Sequence, residues 1–288
     1  MKKADLILTS DWHLRESVPV CRTDDFWTVQ WAKVEYIHTL QRDYECSVLH
    51  AGDLFHHWKP SPYLLSKTIQ WLPKDFWTIY GQHDLPQHNW ELKEKSGIFA
   101  LQVANILHVL GGAHWGREPG NSKPMTVKGR EIMVWHKMVW QGRRLWPGQT
   151  DPSAIAVLKK YPEYDLILTG DNHKPFVEEY EGRLLVNPGS LTRQSADQID
   201  HRPRVYLYDA EQHVVWPEFI PIESNAVSRM HLEERIERDN RIEAFISKLA
   251  GEWEAGLSFE TNIERFLESN KVLNSVKEII YKSMDNDL

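Results

Sequence analysis

The chain is poor in cysteine, in long apolar runs and in positive charge. Cys21 and Cys46 are its only cysteines. That is too few for a disulfide framework or a cysteine-based zinc site, and it fits a reducing compartment. No apolar run approaches the roughly 20 residues of a membrane-spanning helix, and the N-terminus enters a strand pattern without the apolar core of a secretory leader. A soluble cytoplasmic protein with no membrane partner is expected. A net charge of -7 excludes a generally basic coat for nucleic acid, yet leaves room for a local cationic patch or bound cations. Internal repeats and low-complexity segments are absent. With 288 residues, 41% of them apolar, the chain can bury one large core and a smaller appendage.

What is present is one arrangement used five times. An apolar run from Val48 ends abruptly in Gly52 and Asp53, with His56 and His57 close behind. It reads as a buried strand that delivers its chemistry at its C-terminal end. A carboxylate there can bridge two metal ions, which makes Asp53 the candidate hub. Leu6 to Thr9 leads into Asp11-Trp12-His13, and residues two apart on an extended segment point the same way, so both can face one ion. Phe76 to Tyr80 runs into Gly81-Gln82-His83-Asp84, where an amide oxygen can ligate a metal and a His beside an Asp can be oriented for proton transfer. Glu131 to Trp135 ends in His136, and Asp165 to Thr169 ends in Gly170-Asp171-Asn172-His173. A single His is usually a satisfied core or surface residue; five such strand ends are hard to obtain by chance.

Between these units, Asp25 to Arg42 carries Trp27, Trp31, Val34, Ile37 and Leu40 at helical spacing. Phe26, Val29 and Tyr36 add a second apolar face, which fits either packing between a sheet and a loop or a dimer contact. Tyr63 to Trp71 is a second helix after Pro60 and Pro62. Further strands are expected at Ile106 to Leu110, ending at the turn Gly111-Gly112, and at Leu184 to Val186, Val205 to Tyr208 and Val214 to Trp216. Met138 to Asp151 has no clear period. Its Trp140, Arg143, Arg144 and Trp146 suit either a nucleic-acid contact or a surface loop folded back on the core. From about Ser224 the composition shifts. A densely charged stretch, Arg229 to Arg241, precedes three apolar stripes, the first on Ile242, Phe245, Ile246 and Leu249, the others beginning at Phe259 and Val272.

The order of motifs resembles the calcineurin-like metallophosphoesterase superfamily over roughly Met1 to Ile222. Within it, Gly52-Asp53-Leu54-Phe55-His56 and Asn187-Pro188-Gly189-Ser190-Leu191-Thr192-Arg193 look most like the SbcD-type DNA repair nucleases and their phage relatives. For a phage-encoded protein the compartment would be the host cytoplasm. The resemblance implies a four-layer α/β/β/α sandwich with two central mixed β-sheets at 1–222 and a C-terminal helical region at 223–288. It implies one ion held by Asp11, His13, Asp53 and His173 and another by Asp53, Gln82, His136 and Asp171. His83, steered by Asp84, would assist the leaving group, and His56, Arg143, Arg144 and Arg193 would contact substrate. His57 fits either the cleft rim or an exposed loop.

Gln82 stands where Asn is expected and Asp171 where His is expected. Both keep a metal-binding oxygen, and the added carboxylate favours Mn²⁺ or Mg²⁺ over Zn²⁺. The implied activity is a Mn²⁺-dependent exonuclease on double-stranded DNA ends that also cuts single strands. The implied partners are DNA, a coiled-coil ATPase of the SbcC type and a second copy of the chain. Two competing functions remain: a phosphatase or phosphodiesterase acting on nucleotides or phosphoproteins, and a non-catalytic DNA-end scaffold.

Overall fold

A computed structural model describes residues 3–111, 113–120, 124–144, 146–251 and 258–285. They divide into two units, Met1–Ser228 and Arg229–Leu288. The break falls after Ser228 rather than Ile222 because the intervening segment is bound into the first unit. Val227 bridges Arg22, and the Ser228 amide donates to the Cys21 carbonyl at 2.7 Å.

The first unit holds two mixed sheets. One has six strands: β1 (Leu6–Thr9), β2 (Ser47–His50), β3 (Phe76–Thr78), β4 (His108–Val109), β10 (Arg204–Asp209) and β11 (Val214–Phe219). Their order is β11-β10-β1-β2-β3-β4, with β1 to β4 parallel and the last two strands antiparallel. The other sheet, in the order β5-β6-β7-β9-β8, comprises β5 (Met125–Val127), β6 (Arg130–His136), β7 (Leu166–Gly170), β8 (Phe176–Tyr180) and β9 (Arg183–Asn187). Here β6, β7 and β9 are parallel.

Alternation along the strands sets the layers, since successive side chains point to opposite faces. Leu6, Leu8 and Leu49 face Ile132, Val134, Leu166 and Leu168 across the gap between the sheets. Ile7, Val48, Phe76, Val205 and Leu207 face outward against the helices α1 (Phe26–Tyr44), α2 (Pro62–Trp71) and α3 (Gly97–Val103). On the far side Met133, Trp135, Ile167 and Leu185 pack on α4 (Ala154–Lys160). The result is the expected four-layer α/β/β/α sandwich.

Several elements differ from the expectation. The strand expected at Ile106 to Leu110 is only His108–Val109, and the expected turn beyond it includes Gly112, which lies outside the described residues. α1 buries Phe26, Gln30, Lys33, Val34, Ile37 and Gln41, a stripe that includes polar residues, while Trp27 and Trp31 are only partly buried against it. β5, β8, α3 and α4 have no counterpart in the expectation; each is short, so its apolar residues span too few periods to declare one.

In the second unit the charged stretch is helical. It opens a continuous helix, α5 (Met230–Gly251), in which Arg235 and Asp239, and Glu237 and Arg241, pair one turn apart. The side chains of Phe245, Ile246 and Leu249 lie outside the described ones. α6 (Phe259–Ser269) buries Ile263, Phe266 and Leu267, on which Val272 and Ile280 of the α7 (Asn274–Asp285) region pack. No described helix is long and apolar enough to cross a membrane.

Leu49 is fully buried between the two sheets. Leu49→Ala should lower unfolding free energy by about 2–5 kcal/mol, measured by urea denaturation; a loss below about 1 kcal/mol would contradict the inter-sheet core described here.

Candidate metal centre

The C-terminal ends of the parallel strands β1, β2, β3, β6 and β7 converge, and the loops that leave them carry the candidate residues. The loops after β1 and β2 are zipped together: Asp11 N–H donates to the Gly52 carbonyl at 3.1 Å and His13 N–H to that of Asp53 at 2.9 Å. The turn beginning at Asn187 supports them from the other sheet. Its Gly189 carbonyl accepts from Ser10 Oγ at 3.1 Å, and Ser190 N–H donates to the His173 carbonyl at 3.2 Å.

Asp11, His13, Asp53 and Asp171 have φ values of 51°, 46°, 57° and 79°. Left-handed backbone at a non-glycine residue costs of order 1–3 kcal/mol and persists where the surroundings enforce it, often at functional sites. Four of the seven metal-ligand candidates share it. Gly81 allows the closest approach: a methyl group there would overlap both the Asp53 backbone nitrogen and its carboxylate.

Asp53 is buried, and its two carboxylate oxygens have different surroundings. Oδ1 accepts the His83 N–H at 2.8 Å. Oδ2 lies 3.7 Å from His13 Nε2 and 3.4 Å from His136 Nε2. His13 Nε2 is 3.1 Å from His173 Nε2, and Asp11 Oδ1 is 3.9 and 3.8 Å from those two nitrogens. On the other side Gln82 Nε2 donates to Asp171 Oδ1 at 3.2 Å. The structure thus brings all seven ligand candidates into one cluster with Asp53 between its halves. Asp11 reaches both halves, since one of its oxygens also lies within 4.8 Å of ligand atoms of Asp53 and His136.

These residues fit divalent cations. Asp53 Oδ2, His136 Nε2 and His13 Nδ1 are buried with no hydrogen-bond partner, whereas buried polar atoms are nearly always satisfied. A cation between Asp53 and His136 would satisfy both. The other ring nitrogen of His136 is already fixed, with Nδ1 2.6 Å from the Ala51 carbonyl, the outer contact that orients a ligating imidazole.

Burial and charge govern the titrations. Burial alone would lower His136, but Asp53, then Asp11 and Asp171, push it up to about 10. Asp53 is held well below the usual carboxylate range because His136, His13 and His83 outweigh its burial. Burial raises Asp11 and Asp171, partly offset by His173 and His136. Burial drives His13 well down, leaving a neutral imidazole.

Two expected roles do not hold. Asp84 does not steer His83. Its buried carboxylate accepts from the backbone N–H groups of Gly81, Asp53, Leu54 and Phe55 at 3.0, 2.8, 3.3 and 3.1 Å, and His83 Nδ1 instead faces the His56 carbonyl at 2.9 Å. Burial and Asp53 push the Asp84 carboxyl up to about 8 against those amides. Arg193, expected on the substrate, is buried and its guanidinium donates to the carbonyls of Ile199 and Glu223.

Arg143 and Arg144 are exposed on a turn after β6, with no described ion pair to the cluster. His56 stacks on His83 with ring centroids 5.4 Å apart, and His57 is an exposed loop residue whose Nδ1 accepts the Lys59 N–H. Sequence reasoning missed Asn172, whose side chain donates to the Val139 carbonyl at 2.7 Å. It also missed His201, which lines a cleft of about 550 Å³ beside Asp171 and His173. Neither carries a spacing that sets it apart from an ordinary loop residue.

The two mixed sheets and the Asp and His residues gathered at their strand ends define a layered α/β protein with a candidate divalent-metal centre. Residues 5–212 match the calcineurin-like phosphoesterase superfamily domain, and the chain belongs to that family. It is 28% identical over 176 residues to the DNA double-strand break repair protein Mre11 of Haloferax volcanii, a match covering 54% of this chain and 38% of that protein. The chain therefore spans well under half the length of this curated relative. Among solved structures, an archaeal phosphodiesterase aligns over 75% of this chain and 99% of its own at 14% identity and a TM-score of 0.43. Vacuolar protein sorting 29 of Cryptosporidium parvum aligns over 77% and 100% at 16% identity and a TM-score of 0.39.

Two measurements test this geometry. With His136 pushed up to about 10, its proton competes with any cation for the ring nitrogen, so Mn²⁺ affinity should rise with pH across 6.5–8.5, by up to about tenfold per unit, with proton release. Calorimetry in buffers of different ionisation enthalpy reads this directly; pH-independent binding without proton release would sink it. Arg193→Ala should lower stability by about 2–4 kcal/mol, because it orphans two carbonyls at a buried site. An unchanged melting temperature with weakened DNA binding would restore it to the substrate.

Proposed function

We propose that this chain is a two-metal, Mn²⁺-dependent nuclease that degrades DNA from double-stranded ends and also cuts single strands. The observation that carries the hydrolytic reading is Asp53 Oδ2, buried and unpartnered between His13 and His136. The choice of DNA is supported by the Gly52-to-His56 and Asn187-to-Arg193 motifs and by the similarity to a DNA double-strand break repair protein.

In this reading Asp11, His13, Asp53 and His173 hold one cation and Asp53, Gln82, His136 and Asp171 the other. When bound, two such cations supply an activated water and positive charge facing the phosphate oxygens. The oxygen donors of Asp11, Asp53, Gln82 and Asp171 suit Mn²⁺ or Mg²⁺. His83 acts on the leaving group. A carbonyl can only accept, so the 2.9 Å contact to His56 assigns a proton to Nδ1; in the doubly protonated imidazolium Nε2 carries a second proton, which it gives to the departing oxygen, leaving the ring neutral. The backbone N–H of His83 bonds to Asp53 Oδ1, which holds the acid beside the hub. Asp84 positions both by gripping the amides around Asp53. His56 would face the substrate backbone beside His83.

The C-terminal unit supports a partner role. Leu232, Ile236 and Ile242 on α5 are exposed, which suits docking on a coiled-coil ATPase of the SbcC type. The half-buried Trp27 and Trp31 on α1 suit contact with a second copy of the chain.

End-labelled duplex DNA incubated with Mn²⁺, Mg²⁺ or EDTA tests the function. Label should be lost with Mn²⁺, not with EDTA. Asp53→Ala should abolish the loss, and His83→Ala should slow it by about 10²–10⁴ while Mn²⁺ still binds. Intact DNA together with cleavage of small phosphoesters would replace the nuclease by a phosphatase.

A further inference from the structure

Beside the carboxylate-rich pair lies a cluster with no carboxylate in it. One ring nitrogen from each of His13, His56 and His83 lies within 4.8 Å of the other two. The ring centroids are 4.8 Å apart for His13 and His83, 5.4 Å for His56 and His83, and 5.9 Å for His13 and His56. His13 is only 3% exposed, and the Nδ1 atoms of His13 and His56 are buried without hydrogen-bond partners. Three imidazoles crowded together, two of them with a buried nitrogen left unsatisfied, are a costly arrangement unless something binds them.

We propose that His13, His56 and His83 form a third, inhibitory cation site that takes a nitrogen-preferring ion such as Zn²⁺ and switches the hydrolase off. Imidazole donors suit Zn²⁺, Ni²⁺ and Cu²⁺, while Mn²⁺, lowest in the divalent affinity order, prefers oxygen. Zinc with Zn–N bonds of about 2.0–2.1 Å holds ligand nitrogens about 3.3 Å apart, so nitrogens that lie within 4.8 Å of one another close by at most about 1.5 Å. His56 can supply this movement because it sits half-exposed in the loop after β2. A water completes the tetrahedron.

Two consequences follow from shared residues. His13 is also a candidate ligand of the first catalytic cation, so an ion on the triad competes for it. The ring of His83, the proposed proton donor, is tied up at the same time. Metal identity thereby becomes a switch: Mn²⁺ on the carboxylate pair supports turnover and Zn²⁺ on the triad blocks it. The site is defined by metal binding alone, so it stands or falls separately from the choice of DNA as substrate.

The test uses full-length Asp53→Asn protein, which lacks the bridging carboxylate, with Co²⁺ as the probe and circular dichroism as the check on folding. One equivalent of Co²⁺ should give the intense visible bands of a tetrahedral nitrogen site, displaceable by Zn²⁺, and adding His56→Ala should weaken binding at least tenfold. Only the weak bands of six-coordinate Co²⁺, or bands unaffected by His56→Ala, would overturn the proposal. If Asp53→Asn does not fold, Asp171→Asn replaces it, since Asp171 lies at the edge of the cluster. In otherwise unaltered protein under Mn²⁺, Zn²⁺ should inhibit, with a midpoint at least tenfold higher in His56→Ala than in wild type, each scaled to its own uninhibited rate. Equal midpoints would also overturn it.

Discussion

The grip of one buried carboxylate on four backbone amides is the constraint on which the reactive end of the molecule depends. Asp84 takes the N–H groups of Gly81, Asp53, Leu54 and Phe55, and so locks the loop after β3 to the loop after β2. An amide left without a partner at that depth costs about 1–3 kcal/mol, and Asp84 satisfies four. The interaction also fixes Asp53 by its backbone. The Asp53 side chain is then free to leave one oxygen on the His83 amide and to aim the other between His13 and His136. A carboxylate anchored through its own side-chain contacts would have no oxygen to spare for a cation.

The same logic accounts for the left-handed backbone at Asp11, His13, Asp53 and Asp171. Each follows a short strand, buried throughout in β1 and β7 and from Val48 onward in β2, whose direction is dictated by the sheet. A sharp turn immediately after the strand is what points the side chain back over the sheet edge and toward its neighbours. The ladder between the loops after β1 and β2, together with the prop from the Asn187 turn, supplies the hydrogen bonds that hold these turns. Rigidity comes from the two sheets, whose inner faces interdigitate. Function is confined to loops that are short and tied down at both ends, which suits a centre whose donors must be placed to within a fraction of an ångström.

Much of this is legible in the sequence, for an identifiable reason. In a parallel strand buried on both faces the apolar run is continuous, so its end is marked by the first polar residue. At Thr9, His50 and Thr169 that boundary lies within a few residues of a candidate ligand. The signal fades where chemistry runs through the backbone. Asp84 stands next to His83, and adjacency suggested that it steers the imidazole; only the fold shows that three of its four partners are amides of residues about thirty positions earlier in the chain. Arg193 closes the Asn187-to-Arg193 motif, whose resemblance to nucleases implied a substrate contact, yet its role in packing the segments at Ile199 and Glu223 is set by contacts that no local pattern encodes. Short elements such as β5 and α4 were invisible because three to seven residues cannot establish a period.

Gln82 and Asp171, the two departures from the family pattern, are neighbours in space, with the Gln82 amide donating to the Asp171 carboxylate at 3.2 Å. Replacing an imidazole by a carboxylate shortens one arm, and replacing Asn by Gln lengthens the other by one methylene. The combined reach across the gap is therefore nearly conserved, which a single change would not achieve. A centre drifting toward loss of function would show unrelated changes that remove donors; here both positions keep a donor oxygen and the two side chains still meet. Under the proposed ligand assignment the second cation sees three oxygen donors and one nitrogen, against two of each for the first. The protein thus presents an oxygen-rich pair beside an all-imidazole cluster, and that contrast gives it the means to respond differently to hard and borderline-soft cations within one cleft.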